Sequence, residues 1–281
     1  MSKKKKILPI IGTLAVLTAV YFLYQYIRYV KTDNAQIDGH AVMLSSKVSG
    51  FVKDVKITEG QSVSKDDVLV EIDSRDFENT LKQVSSELSS IDARRRDAET
   101  NYKRLSSLYD KGAVSQQQRD TSLSAYSEVK AKYEAILAQV SQARLNLENT
   151  KIKAPSNGFI ARKSVEVGQL ASPGIPLIGF VSSEDRWVTA NFKETELSAI
   201  KIGAKAEVEV DAISGHTYIG KVISIGAATG ATFALLPPDN ATGNFTKVVQ
   251  RVPVKIQIEN LTPQDIENLR VGLSAIVKVS K

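Results

Sequence analysis

The chain has 281 residues, 42% of them hydrophobic, with one tryptophan and no cysteine, which excludes a disulfide framework, a thiolate metal site, a thiol nucleophile and an acylated lipoprotein anchor. Its formal charge is +6, yet residues 1–31 hold Lys3, Lys4, Lys5, Lys6, Arg28, Lys31 and no acid; removing those six from 37 bases leaves 31 against 31 acids. A nucleic-acid binder carries its basic excess on the folded domain, where phosphates are met; here the excess belongs to one end, which points to a membrane.

From Ile7 to Ile27 run 21 uncharged, mostly apolar residues. A helix of about 20 such residues crosses a hydrocarbon core of roughly 30 Å. The preceding lysines predict a cytoplasmic N-terminus, and Tyr21, Tyr24, Tyr26 and Tyr29 cluster where aromatic rings favour headgroups. A cleaved signal peptide is the alternative, but Ala15 and Ala19 lack the small-x-small spacing of a cleavage site. Residues 1–31 therefore read as tail and transmembrane helix, with 32–281 outside the cytoplasm.

Residues 74–150 are predicted as a helical hairpin. Between 75 and 149 there is no proline and one glycine, Gly112. Apolar residues recur at alternating spacings of four and three: Phe77, Leu81, Val84, Leu88 and Ile91, then Ala98, Tyr102 and Leu105. Beyond Gly112 come Leu123, Tyr126, Tyr133, Leu137, Val140 and Leu147. Folding at Gly112, a left-handed C-cap candidate, sets Ile91 against Tyr133 and Arg95 beside Lys130, two like charges that must splay outward, towards Glu134 or Glu99. Arms of about 35 residues would reach roughly 50 Å, far beyond an ordinary three-turn helix.

The flanks of the hairpin, 47–73 and 151–181, repeat each other. Gly50 matches Gly158, Phe51 Phe159, Val52 Ile160, Gly60 Gly168 and Gln61 Gln169, all at an offset of 108. Repeated glycines at turn positions mark two copies of one β unit, neither able to bury a core alone. Residues 182–281, with a strand from 32–46, alternate apolar and polar residues between turn glycines, which predicts an antiparallel barrel. Residues 193–202 read as one short helix.

The split repeat, Lys153-Ala154-Pro155 before Gly158, and the inserted coiled coil resemble the HlyD-type membrane fusion proteins, or periplasmic adaptors. The resemblance implies an α+β multidomain chain: a single N-terminal transmembrane helix, a lipoyl-like β-sandwich split by a long antiparallel α-helical coiled-coil hairpin, then an antiparallel β-barrel. Related lipoyl and biotinyl carriers hold a modified lysine on the turn that the hairpin replaces here, so no cofactor is expected. Asn157 stands where many relatives have aspartate. The stretches Asp33-Asn34-Ala35, Trp187 to Glu194, and Leu236-Pro237-Pro238 through Gln250 to Pro253 are similar to the EmrA-type branch of multidrug efflux adaptors.

That branch implies a non-enzymatic inner-membrane adaptor, most of it periplasmic, ringing into a self-associated, hexameric conduit. One end would meet a major-facilitator exporter and the other a TolC-like outer-membrane channel. Arg104, Leu108 and Ser115 match the Arg-x3-Leu-x6-Ser pattern with which adaptor tips meet such channels. The bland alternative makes Leu108 seam packing, Arg104 solvated and Ser115 a helix cap with Gln118. Phe233, Leu235 and Leu236 lie in the nearly uncharged stretch 226–246, a candidate contact for exporter or bilayer, or simply a loop. His40 and His216 lack ligand-spaced partners, so no metal is expected; Trp187 is expected at the junction of the β domains, and Arg94, Arg95 and Arg96 as a solvated face. Rival readings are an adaptor for an ABC exporter of peptides or proteins, a membrane-tethered coiled-coil scaffold and an enzyme carrier domain.

Overall fold

The computed structural model describes residues 28–230, 232 and 248–281. Two compact units form: one from the residues up to Ala41 with Val181–Lys281, the other from Val42–Phe180. The chain passes between them twice, inside β1 (Tyr29–Ser45) and β8 (Pro176–Lys193). The apolar run Ile7–Ile27 lies outside the described residues; among those described, no helix is long and apolar enough to cross a membrane.

The first unit is a closed antiparallel barrel. Its members are β1, the end of β8, β9 (Lys205–Val210), β10 (Thr217–Ile225), β11 (Arg251–Ile258) and β12 (Ser274–Ser280). The order is β1-β12-β9-β10-β11-β8, and β8 pairs back onto β1, leaving no open edge. Strict alternation builds it: Val252, Val254, Ile256 and Ile258 point inward, joined by Ile37, Val188, Phe192, Val208 and Val277. The expected helix at 193–202 is a shorter 3₁₀ segment, Glu194–Ala199. A second short helix, α3 (Pro263–Asn268), opens with a Thr262–Asp265 capping box.

Within the second unit, the 108-residue repeat is a repeat of hydrogen bonds. Half one comprises β2 (Gly50–Val55), β3 (Ser62–Val63) and β4 (Val68–Ile72); half two comprises β5 (Lys151–Lys153), β6 (Gly158–Lys163), β7 (Leu170–Ala171) and the start of β8. Gly60 N–H donates to Ile160 O and Gly168 N–H to Val52 O, each at 2.8 Å. The return bonds run from Ile160 N–H to Gln61 O at 3.0 Å and Val52 N–H to Gln169 O at 2.8 Å. Strand pairing follows suit: Gly50↔Ala171 and Phe51↔Leu170 mirror Gly158↔Val63 and Phe159↔Ser62. Each half therefore satisfies the other's backbone, and Leu69, Ile72, Ile160, Leu177 and Phe180 close one shared core. Gly60 and Gly168 sit at turns with φ of +82° and +84°, as left-handed positions require. Gly50 and Gly158, expected at turns, instead open strands β2 and β6. Gly50 serves close packing: a Cβ there would stand 2.6 Å from Ile72 Cγ2.

The hairpin consists of α1 (Arg75–Asp110) and α2 (Gln116–Glu148). At 1.5 Å per residue α1 is about 54 Å long. Its seam follows the expected spacing, with Arg95 and Tyr109 added: Phe77, Leu81, Val84, Leu88, Ile91, Arg95, Ala98, Tyr102, Leu105 and Tyr109 are half-buried or buried, and Asp92, Glu99, Ser106 and Leu108 flank them half-buried. The α2 seam departs from expectation only in part, since Tyr126, Tyr133, Val140 and Leu147 are half-buried or buried as expected. Ser122, Ile136, Val140 and Ala143 are buried, whereas Leu123 and Leu137 are exposed. Small residues at Ser122 and Ala143 let the helices approach, and the bulkier leucines fall one position outside.

The register also differs by one turn. Tyr102 stacks on Tyr126 with centroids 6.1 Å apart, and Arg95 lies over Tyr133 at 5.1 Å rather than beside Lys130. The cause is the loop: α1 ends at Asp110 but α2 restarts only after Ser115, so the fold centre moves beyond Gly112.

Candidate functional site

The hairpin tip is built by two end-caps. Gly112, at φ +74°, donates to Tyr109 O at 2.8 Å, and Ala113 N–H donates to Leu108 O at 2.9 Å. These 5→2 and 6→1 bonds are a Schellman motif that satisfies the last carbonyls of α1. Ser115 then starts α2: its Oγ accepts from Gln118 N–H at 3.3 Å, and its own N–H donates to Gln118 Oε1 at 3.0 Å. Below the loop, the Arg119 guanidinium stands 4.7 Å from the Tyr109 ring centroid and donates to Asp120 Oδ1 at 2.6 Å.

The three expected contact residues are placed differently from one another. Arg104 is exposed and, among the described residues, forms no ion pair. Leu108 is half-buried, one turn further on the same face of α1. Ser115 is exposed, with its hydroxyl committed to the capping box. The tip thus offers a free guanidinium and part of a leucine on one face, held by a rigid turn. Beside it, Gln116, Gln117, Asp120, Thr121 and Ser124 line an open groove on α2.

Of the arginine triplet, only Arg94 and Arg96 face solvent. Arg95 is half-buried, donating to Asp92 and Glu99 beneath the Tyr133 ring. Of the two expected acidic partners, Glu99 is used and Glu134 is not. Hydrogen bonding by Lys103, with its charge and that of Arg95, holds the Glu99 carboxyl below its ordinary range.

Phe233, Leu235 and Leu236 lie outside the described residues. His40 packs edge-on against Trp187 at 5.0 Å, and His216 against Tyr218 at 4.3 Å. Lys255 Nζ stands 3.7 Å over the Trp187 ring, so barrel residues hold this tryptophan. Among the described residues no group of three His, Cys, Asp or Glu could hold a metal ion.

Sequence reasoning missed Arg186. It is 2% exposed, and its guanidinium donates to Leu269 O at 3.0 Å, Ser182 O at 2.6 Å and Asp185 O at 2.8 Å. Burial pushes its pKa down from the ordinary value. Nothing in the alternating pattern around it marks an inward arginine.

Comparison with known proteins follows this architecture. The family described as "RND MFP, barrel-sandwich hybrid domain" matches residues 40–179. The fatty acid resistance protein FarA of Neisseria gonorrhoeae is 34% identical over 89% of this chain and 75% of its own. The multidrug export protein EmrA of Haemophilus influenzae is 32% identical over 97% of this chain and 81% of its own. Among solved structures, a MacA–MexA chimera carrying the Pseudomonas aeruginosa MexA α-hairpin domain shares the fold. Its TM-score is 0.64 at 22% identity, covering 90% of this chain and 82% of that one. These relatives are membrane fusion proteins rather than enzymes, and the chain belongs to the HlyD-type membrane fusion proteins, the periplasmic adaptor family, on its EmrA-like branch.

Proposed function

We propose that this chain is the periplasmic adaptor of a tripartite efflux system, linking an inner-membrane major-facilitator drug exporter to a TolC-like outer-membrane channel. The observation that carries it is the two-helix arm of about 54 Å inserted between halves that complete one another. Such an arm has too thin a seam to be a domain and suits reaching. The names of the relatives, fatty acid resistance for FarA and multidrug export for EmrA, support export of lipophilic toxic compounds.

In this reading Ile7–Ile27 anchors the chain in the inner membrane, and six copies ring into a conduit. Arg104, Leu108 and Ser115 dock on the channel, while Phe233, Leu235 and Leu236 meet the exporter or bilayer. The mechanism is geometric, and the energy comes from the exporter. Deleting the gene should sensitise cells to lipophilic toxic compounds, and restoring it with Arg104→Asp and Leu108→Asp should leave them sensitive at normal membrane level. Full resistance in that double variant removes the tip from the docking role, and full resistance in the deletion removes the efflux role.

A further inference from the structure

The barrel's charge is segregated along its strands. At the end where β1, β9 and β11 begin and β8, β10 and β12 finish, three cross-strand pairs set base against base: Lys31↔Lys278, Lys205↔Lys221 and Arg251↔Lys193. Like charges directly opposite one another destabilise a sheet. Lys278 is drawn to Glu209 at 2.7 Å. Among the described residues, no carboxylate lies within ion-pair distance of Lys31, Lys193, Lys205 or Lys221, and all four are exposed. The rim also carries Glu194 and Glu196, which its bases outnumber; the opposite end is net acidic, with Asp38, Asp185, Asp211, Glu259 and Asp265 against Arg270.

Two further observations say what this basic rim meets. The apolar run Ile7–Ile27 ends two residues before β1 begins at Tyr29, on the basic side of the barrel. The turn entering β9 presents Ile202, 69% exposed, between Lys201 and Lys205, with Gly203 at φ +90° fixing the bend. An exposed apolar tip flanked by bases matches a bilayer interface, where cations meet headgroup phosphates and apolar side chains enter the acyl boundary.

We propose that the basic rim of the barrel seats on the headgroup phosphates of an anionic bilayer, with Ile202 inserted, so that the barrel stands on the membrane rather than swinging from its anchor. This inference rests on the membrane anchor proposed above. Neutralising phosphate removes the like-charge penalty that the rim otherwise carries, and each base lost weakens the contact roughly five-fold.

The native chain has no cysteine, so Ser198→Cys near the rim and Thr217→Cys at the acidic end each give one labelling site in the full chain. Fluorophores there are read by acrylamide quenching in nanodiscs of phosphatidylcholine alone or with phosphatidylglycerol. The expected result is protection of the residue-198 label only with phosphatidylglycerol, and no change at 217. That protection should be lost at 1 M salt, where the screening length is about 3 Å, and in Lys201→Glu/Lys205→Glu. The second change sets an acid opposite Lys221, so the melting temperature should not fall.

Equal quenching in the two lipids overturns the rim contact while leaving the anchor standing. Protection that appears only with a co-reconstituted exporter also overturns it, in favour of a protein contact. A chain that does not enter nanodiscs overturns the anchor; the 198 label is then read with added vesicles of both compositions, where composition-independent quenching overturns the rim.

Discussion

Arg186→Met tests whether a buried guanidinium holds the barrel together. The side chain makes three bonds to carbonyls of Ser182, Asp185 and Leu269 and has no carboxylate as a hydrogen-bond partner. Hydrogen bonds to a charged group contribute about 1.5–3 kcal/mol each. Against that, removing the cation relieves a desolvation cost of several kcal/mol. The expected net loss is about 2–4 kcal/mol, because methionine fills the volume but leaves the carbonyls unanswered. With a urea slope of about 2 kcal/mol/M, the midpoint should fall by about 1–2 M. Trp187, the one tryptophan, lies in the barrel, so its fluorescence reports that unit. Circular dichroism at 222 nm is dominated by α1 and α2 in the other unit. The fluorescence transition should move and the helical one stay. An unmoved fluorescence midpoint, or equal movement of both, refutes the local account.

Gly50→Ala should destabilise the second unit by about 1–3 kcal/mol, since its Cβ would crowd Ile72. Gly60→Ala, with nothing within 4 Å but φ +82°, should lose about 1–2 kcal/mol through backbone conformation alone; urea melts by circular dichroism rank the two. A double-mutant cycle should find coupling of about 0.5–1 kcal/mol between Arg95 and Tyr133 and none between Arg95 and Lys130. Coupling to Lys130 would restore the shorter loop. The Asp73 carboxyl, held first by the Arg75 side chain and then by its backbone N–H, should titrate at about 2 rather than 3.8 in a carbon-detected NMR titration. Because its folded pKa is depressed, its stabilising contribution is present above pH 3.8 and lost as the pH falls towards 2.

Sequence pattern revealed the α1 seam almost completely because bulky apolar residues fill nearly every position. The α2 seam was harder to read because Ser122 and Ala143 are small, while the conspicuous Leu123 and Leu137 point away. Gly112 announces the end of α1, but the position of α2 depends on the Ser115–Gln118 box; giving the glycine more weight misplaced the register by a turn. Arg95 looks like a polar fault in a heptad until Asp92, Glu99 and Tyr133 surround it. Barrel strands declare themselves by alternation, yet their order does not, since β1 pairs with β12 from the far end of the chain. The expected contact residues were legible only as a pattern. Geometry adds that Ser115 already has a structural task and that Arg104, among the described residues, has none.

The mutual bonding of the two halves has a consequence for the order in which the molecule assembles. During synthesis each residue of half one waits for its counterpart 108 positions later, about 5–20 s at 5–20 residues per second. Meanwhile β2 and β4 have only each other: β2 lacks β7, β3 lacks β6 and β4 lacks β5. Each intervening helix forms in microseconds from hydrogen bonds between near neighbours in sequence. Once folded back, they return the chain to its starting point, where Ile72 N–H meets Thr150 O at 2.8 Å. The arm therefore acts first as a clamp: it replaces the closure entropy of a long flexible loop with a preformed bridge and delivers half two within reach of half one. Shortening the arm by whole heptads would leave this delivery intact, whereas breaking its seam would delay the β domain that it interrupts.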